Sequence, residues 1–176
     1  METDVTVRDF STEPFASLRT TPWEPSFDWQ SRRVGAALQI NKWHENGKEH
    51  YEQTDSAIQY LEVVGEWTGL AITESIIKRT HTEIFPGEKW TGKWRDIRVR
   101  VGTHVPPAPE EIELHMENLE RHILNYCRTI EDLTDWYYAF ETIHPFQDGN
   151  GRVGGAIVAA YSHLIEPDKG YLAPNQ

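Results

Sequence analysis

Within nine residues the chain sets His144-Pro145-Phe146-Gln147-Asp148-Gly149-Asn150-Gly151-Arg152. A titratable base, a hard oxygen ligand, a glycine-rich turn and a guanidinium this close together suit chemistry on a phosphate. Imidazole ordinarily titrates near pH ~6.5, so His144 can act as a general base. The Asp148 carboxylate suits Mg²⁺, which takes oxygen ligands and usually arrives with phosphates attached. Gly149, Asn150 and Gly151 offer main-chain N–H groups to an anion, and Arg152 adds a planar fork matched to phosphate oxygens. Base, metal ligand and phosphate cradle point to transfer from a nucleotide. Singly, each residue has an ordinary explanation: Asp-Gly and Asn-Gly are turn dipeptides, an Asp near a helix start often only caps it, and one His is usually structural. Turn formation, however, does not require His, Phe, Asp and Arg at these offsets.

Two elements must position this stretch. Apolar residues recur at helical spacing before it (Leu133, Trp136, Tyr137, Phe140, Ile143) and after it (Val153, Ile157, Tyr161, Leu164), which predicts helix, loop, helix. Residues 149–151 then open the second helix, where unpaired N–H groups and the positive end of the dipole favour an anion. Upstream, residues 1–25 with Pro14, Pro22 and Pro25 read as an irregular arm. Residues 26–43 read as a helix on Phe27, Val34, Leu38 and Ile40, ended by His44-Glu45-Asn46-Gly47. Thr54 or Asp55 caps a helix bearing Ile58, Leu61, Val64 and Trp67; Thr73 caps another bearing Ile76, Ile77, His81 and Ile84, stopped by Pro86-Gly87. Over Arg95-Asp96-Ile97-Arg98-Val99-Arg100-Val101 polar and apolar residues alternate, predicting a half-exposed strand in a short hairpin, or else a plain connecting ribbon. Pro109-Glu110-Glu111 opens a helix striped by Ile112, Met116, Leu119, Ile123 and Tyr126. The tail from 167 to 176 reads as irregular.

The 176 residues fit one mostly helical domain with a sizeable core. With 17 basic and 28 acidic residues the formal charge is -11, which argues against nucleic acid as a partner of the overall field. No apolar run approaches the ~20 residues of a membrane span, and the acidic N-terminus has no apolar signal region. Cys127 is the only cysteine, so an internal disulfide and a multi-cysteine metal site are excluded. It reads as a small buried apolar residue. A cytoplasmic home, or delivery into another cell as an effector, is the expectation.

The string at 144–152 resembles the signature of the Fic family, His-Pro-Phe-x-Asp/Glu-Gly-Asn-Gly-Arg-x-x-Arg, at every position through Arg152. A second stretch, Gly92-Lys93-Trp94-Arg95 followed by Val101-Gly102-Thr103-His104-Val105-Pro106-Pro107, resembles that family's flap region. The resemblance covers roughly residues 30–165 and, with the spacing above, implies a Fic domain over residues 26–166. It implies a helical bundle with a β-hairpin flap over the active loop, and transfer of AMP from ATP to a Ser, Thr or Tyr hydroxyl of a target protein. Position by position it makes His144 the base, Phe146 the loop anchor and Asp148 the Mg²⁺ ligand. Gly149, Asn150 and Gly151 would hold phosphates, and Arg152 would stabilise the departing pyrophosphate. Ile97, Arg98, Val99, Arg100 and Val101 would dock the target by strand addition.

The chain departs from the pattern at Gly155, where the second Arg of the signature would stand. That Arg grips the terminal phosphates of ATP in the family, so another nucleotide or phosphate-linked donor, or a decayed peptide-binding domain, are the alternatives. Gly151 stands where the phosphorylating branch carries Lys, which favours AMP transfer. No clean copy of the family's inhibitory Ser/Thr-x-x-x-Glu-Gly/Asn helix occurs: Thr20–Glu24 and Ser162–Glu166 are each followed by Pro, and Asn41–Glu45 lacks the hydroxyl. The expectation is an uninhibited enzyme or one restrained by a separate small protein. A metal-dependent hydrolase built on Glu111, His115 and His122 is the remaining rival.

Overall fold

One helix is apolar on every side, and the others pack around it. In the computed structural model, which describes residues 32–42, 51–123 and 127–174, the helices are α1 (Arg33–Lys42), α2 (Tyr51–Trp67), α3 (Glu74–Ile84), α4 (Ile112–Ile123), α5 (Ile130–Ile143) and α6 (Asn150–Ile165). Single 3-10 turns occur at Pro109–Glu111 and Pro167–Lys169. The central helix is α6: Asn150 and every residue from Arg152 to Ser162 are buried. It touches α1, α2, α3 and α5.

Small residues let those neighbours come close. A Cβ at Gly155 would lie 3.0 Å from Cγ2 of Ile40 on α1, and one at Gly154 would lie 2.8 Å from Cε1 of Tyr137 on α5. Glycine inside a helix costs about 1 kcal/mol against alanine, and these two contacts are the physical return on that cost. The seat of the missing signature Arg is therefore filled by α1.

The helices that flank the loop form as their spacing predicts. α5 opens on a capping box, with the Thr129 hydroxyl accepting from Asp132 N and the Asp132 carboxylate accepting from Thr129 N. Its Leu133, Trp136, Tyr137, Phe140 and Ile143 are buried, as are Val153, Ile157 and Tyr161 of α6. Thr73 caps α3 by accepting from Ile76 N at 3.2 Å. The residues after Ile165 pack back onto the body, with Leu172 N donating to the Ser162 hydroxyl.

Three expectations are corrected. α1 faces inward through Gly35, Ala36, Ala37, Ile40 and Asn41, while Val34 and Leu38 stay 46% and 51% exposed. Close approach to α2 and α6 favours the small face over the bulky one. Phe27 and the terminator at 44–47 lie outside the described residues, as do Tyr126 and the Ile123 side chain. Thr54 does not cap α2: the helix begins at Tyr51, and Thr54 sits buried within it, accepting from Asn41 Nδ2 at 2.8 Å. Trp67 lies at the exposed end of α2.

The third correction concerns the hairpin. No strand occurs among the described residues; the segment from 90 to 107 holds one isolated antiparallel bridge, Val101 with His104. The expected alternation is inverted at its start, where Arg95 is buried and Ile97 is exposed, and kept from Arg98 to Val101, where the arginines are exposed and the valines half-buried. Four main-chain carbonyls draw the Arg95 guanidinium inward, and the ribbon turns with it.

Candidate active site

α5 ends on His144 itself, which adopts a left-handed conformation (φ 53°, ψ 61°) as the C-cap while its N–H donates to Phe140 O. This backbone region is sparsely used by residues other than glycine and persists where surroundings enforce it. Arg95 is the enforcer. Its Nε donates to His144 O at 2.7 Å, its Nη2 to Pro107 O at 2.7 Å and to Ile143 O at 3.3 Å, and its Nη1 to Ile97 O at 2.8 Å. Arg95 N adds a bond to Pro145 O at 2.8 Å. A guanidinium is thus spent on holding the turn that presents the imidazole.

Burial, and next the Arg95 charge, push the His144 imidazole down to about 4; the Glu141 main-chain carbonyl and Asp148 pull the other way, His104 with Arg95. The ring is therefore neutral at neutral pH and able to accept a proton. Its Nδ1 is buried without a well-formed hydrogen bond, which leaves Nε2 as the nitrogen for an incoming group.

After His144 the chain makes a tight ring. Asn150 is buried, its Oδ1 accepting from Phe146 N at 2.9 Å and its Nδ2 donating to Phe146 O at 2.8 Å. The Asn150 side chain is thus committed to closing the loop, and only its main-chain N–H remains for an anion. Phe146 is fully buried, stacked on His81 at 3.9 Å between ring centroids and flanked by Trp94 and Phe140.

His81 ties the loop to the segment that follows α3. Gly92 N donates to its Nδ1 at 2.9 Å. Since that nitrogen accepts, Nε2 carries the proton and donates to Asp148 O at 3.0 Å. Burial lowers the pKa of His81, which keeps this neutral tautomer in place.

At the start of α6, Gly149 is left-handed (φ 87°), and no side chain caps the helix. A Cβ at Gly149 would lie 2.3 Å from Cε2 of Phe85, so only glycine fits between that ring and the loop. Phe85 also carries Arg152, whose guanidinium carbon sits 4.5 Å from the ring centroid. Arg152 is buried with Nε unpaired; burial lowers its pKa and the Asp148 charge draws it back. Asp148 is exposed, with Oδ1 accepting from Gly149 N at 2.8 Å. Gly151 is half-buried beside it.

The fold thus brings His144, Asp148, Gly149, Gly151 and Arg152 to one loop at the mouth of α6. Of the docking segment, Ile97, Arg98 and Arg100 are exposed, and Val99 and Val101 are half-buried. The sequence reading gave no site role to four contributors: Arg95, placed only in the flap segment, His81, placed only on a helix stripe, and Phe85 and Glu141. Glu141 was legible as a carboxylate at the apolar spacing Leu133, Tyr137, 141. It is buried with Oε1 unpaired, and burial pushes its carboxyl up to about 8. Cys127 is buried, and burial pushes its thiol up to about 12, so it packs and does not react. Among the described residues no three His, Cys, Asp or Glu side chains gather as a metal site. The His122 side chain of the rival hydrolase set lies outside them.

The helical architecture is shared with solved structures. A Fic domain-containing signaling protein from Bacteroides thetaiotaomicron superposes with a TM-score of 0.61 over 89% of this chain and 69% of that one, at 18% identity. A Fic family protein from Desulfovibrio desulfuricans superposes at 0.60 over 80% and 50%, at 20% identity. The Fic/DOC family matches residues 71–162, more than half of the chain, and the chain belongs to that family. Proteins named protein adenylyltransferase Fic are similar in part: that of Nematostella vectensis is 37% identical over 39% of this chain, and that of Drosophila melanogaster 37% over 43%. The chain spans only 17% and 18% of the length of these relatives. Among the described residues no helix is long and apolar enough to cross a membrane.

Proposed function

We propose that the chain is a protein adenylyltransferase, moving AMP from ATP to a Ser, Thr or Tyr hydroxyl of a target protein. The observation that carries this reading is a neutral imidazole at the lip of a loop whose far side is an uncapped helix N-terminus beside Arg152, whose buried Nε has no hydrogen-bond partner. His144 takes the proton of the target hydroxyl. The oxygen so freed bonds to the α-phosphorus, the bond from that phosphorus to the bridging oxygen breaks, and pyrophosphate departs. Charge on the leaving oxygens meets the first N–H groups of α6 and Arg152. Asp148 fits Mg²⁺: its carboxylate is exposed and one oxygen is already oriented by Gly149 N, which suits a metal that takes its other ligands from phosphates and water. When bound, that metal offsets phosphate charge.

The filled seat at Gly155 favours a variation on this reading in which the donor is gripped elsewhere than in ATP-bound relatives with Arg, or carries another base. For control, the proposal stays with an uninhibited enzyme or one restrained by a separate small protein. Incubating the full chain with Mg²⁺ and ATP labelled on the α- or γ-phosphate, beside His144→Ala, tests the reading. Label from the α position alone, with an adenylate mass increment on the chain or a target and none in the variant, is the expected result. Label from no nucleotide would leave a peptide-binding domain.

A further inference from the structure

The chain is acidic, with a formal charge of -11, yet Lys93-Trp94-Arg95-Asp96-Ile97-Arg98-Val99-Arg100 holds four cations and one acid. Arg95 is buried and occupied. Lys93, Arg98 and Arg100 are exposed, and none of the three has an ion pair among the described residues. Some cations elsewhere on the body do, Arg33 with Asp55, Lys78 with Glu74, Arg79 with Glu83 and Lys169 with Glu166; single ones such as Lys89 and Arg128 do not, so this segment is set apart by gathering its exposed cations within eight residues. Leaving several cations unpaired on a surface rich in carboxylates preserves a local field of the opposite sign.

The place of that field follows from how the segment is held. One foot is Arg95, bonded to His144 O and Pro145 O. The other is His104, whose Nε2 meets Thr142 O at 2.9 Å, next to its bridge with Val101. Residues 96–103 thus form a strap with both feet on the end of α5, on the imidazole side of the loop. An extended chain covers at most ~3.5 Å per residue, so Arg98 lies within about 11 Å of the first foot and Arg100 within about 18 Å. The phosphate-facing groups, Gly149 to Arg152, belong to the opposite end of the loop.

We infer that the strap selects its protein target by charge: the segment flanking the modified hydroxyl is acidic, and Arg98 and Arg100 read it. This rests on the adenylyltransferase reading for the fate of the hydroxyl, though not for the binding itself. Exposed Ile97 adds apolar contact between the cations and the first foot. Main-chain pairing would hold many extended peptides alike, and the two guanidinium groups rank them.

The test measures anisotropy of dye-labelled peptides of equal length, each with a central Thr flanked by Glu, Gln or Lys, on the full chain without nucleotide. The wild type is expected to bind the Glu peptide roughly threefold to tenfold tighter than the Gln peptide, a preference that salt erases. In Arg98→Glu/Arg100→Glu the order shifts toward the Lys peptide, while affinity for ATP stays as in the wild type. Equal binding of Glu and Gln peptides, or a preference that survives in the double variant, overturns the inference. So does loss of ATP affinity in that variant, which would assign these cations to the nucleotide. Transfer of label from α-labelled ATP onto the same peptides is scored separately. Its absence with the charge preference intact strikes the adenylyltransferase reading and leaves the strap's selectivity standing.

Discussion

The loop at 144–152 and the strap at 96–103 meet at His144, yet they are built on opposite plans. The loop is braced from within: Asn150 clasps Phe146 twice, His81 stacks beneath it, and Gly149 admits the Phe85 ring, with Gln147 and Asp148 left exposed. The strap is fixed only at Arg95 and His104, and Asp96, Ile97, Arg98 and Arg100 between those feet are exposed. Groups that would do chemistry are held by buried contacts, whereas groups that would meet a partner keep conformational freedom. The contrast teaches that precision and adaptability are separated here by a single guanidinium.

Perturbing the loop should cost most. His144→Ala is expected to lower transfer by ~10²–10⁴-fold. In the wild type the acid limb of kcat/KM should fall near pH 4, because the imidazole is held down to about 4, and not near the ordinary ~6.5 of histidine. A limb at the ordinary position would mean that the site relaxes before reaction.

Arg95→Met attacks the joint between the two regions. Four carbonyls lose their donor, so stability should drop by about 4 kcal/mol in denaturant melts. With the cation gone the His144 pKa should rise, which a histidine-resolved NMR titration reads directly. A variant that melts like the wild type would show that the strap is not anchored through this side chain.

Glu141→Gln sharpens the contrast from within the buried side. The folded carboxyl keeps its proton to about pH 8, whereas in the unfolded chain it is lost near pH ~4.5. The folded state therefore binds the extra proton across that window, and stability falls as pH rises through it. The amide removes this slope and should stabilise the protein by about 4 kcal/mol at pH ~8 while changing little at pH ~4. Equal gains at both pH values would point to packing instead.

The smallest effect is expected at Gly155→Arg, which drives a side chain into Ile40 and should destabilise by about 2 kcal/mol. Adding Ile40→Ala opens the seat. Recovery of stability together with tighter ATP binding in the pair would mark this position as the place where the donor's terminal phosphates are normally left unheld.

What the sequence told about these regions follows the same division. α5 and α6 were legible because the apolar residues on their stripes are buried, Leu164 at the far end only partly, and periodicity reports burial. Thr73 was legible as a cap because the need is local. The strap was misread because alternation assumes that cations face water, and Arg95 instead meets carbonyls from residues 97, 107, 143 and 144. α1 was misread for a related reason: its inner face is set by the closeness of α2 and α6, and Ala36 and Ala37 permit that closeness where Val34 and Leu38 do not. The departure at Gly155 was visible at once, but its cause was Ile40, a partner more than a hundred positions away. Long-range contacts leave no period in the chain.

The double clasp of Asn150 on Phe146 has a kinetic corollary. It closes residues 146–150 into a ring fused to the central helix, one that opens only when both bonds part. If the chain transfers AMP as proposed, any yielding on entry of a target falls to the strap between Arg95 and His104 and not to this ring.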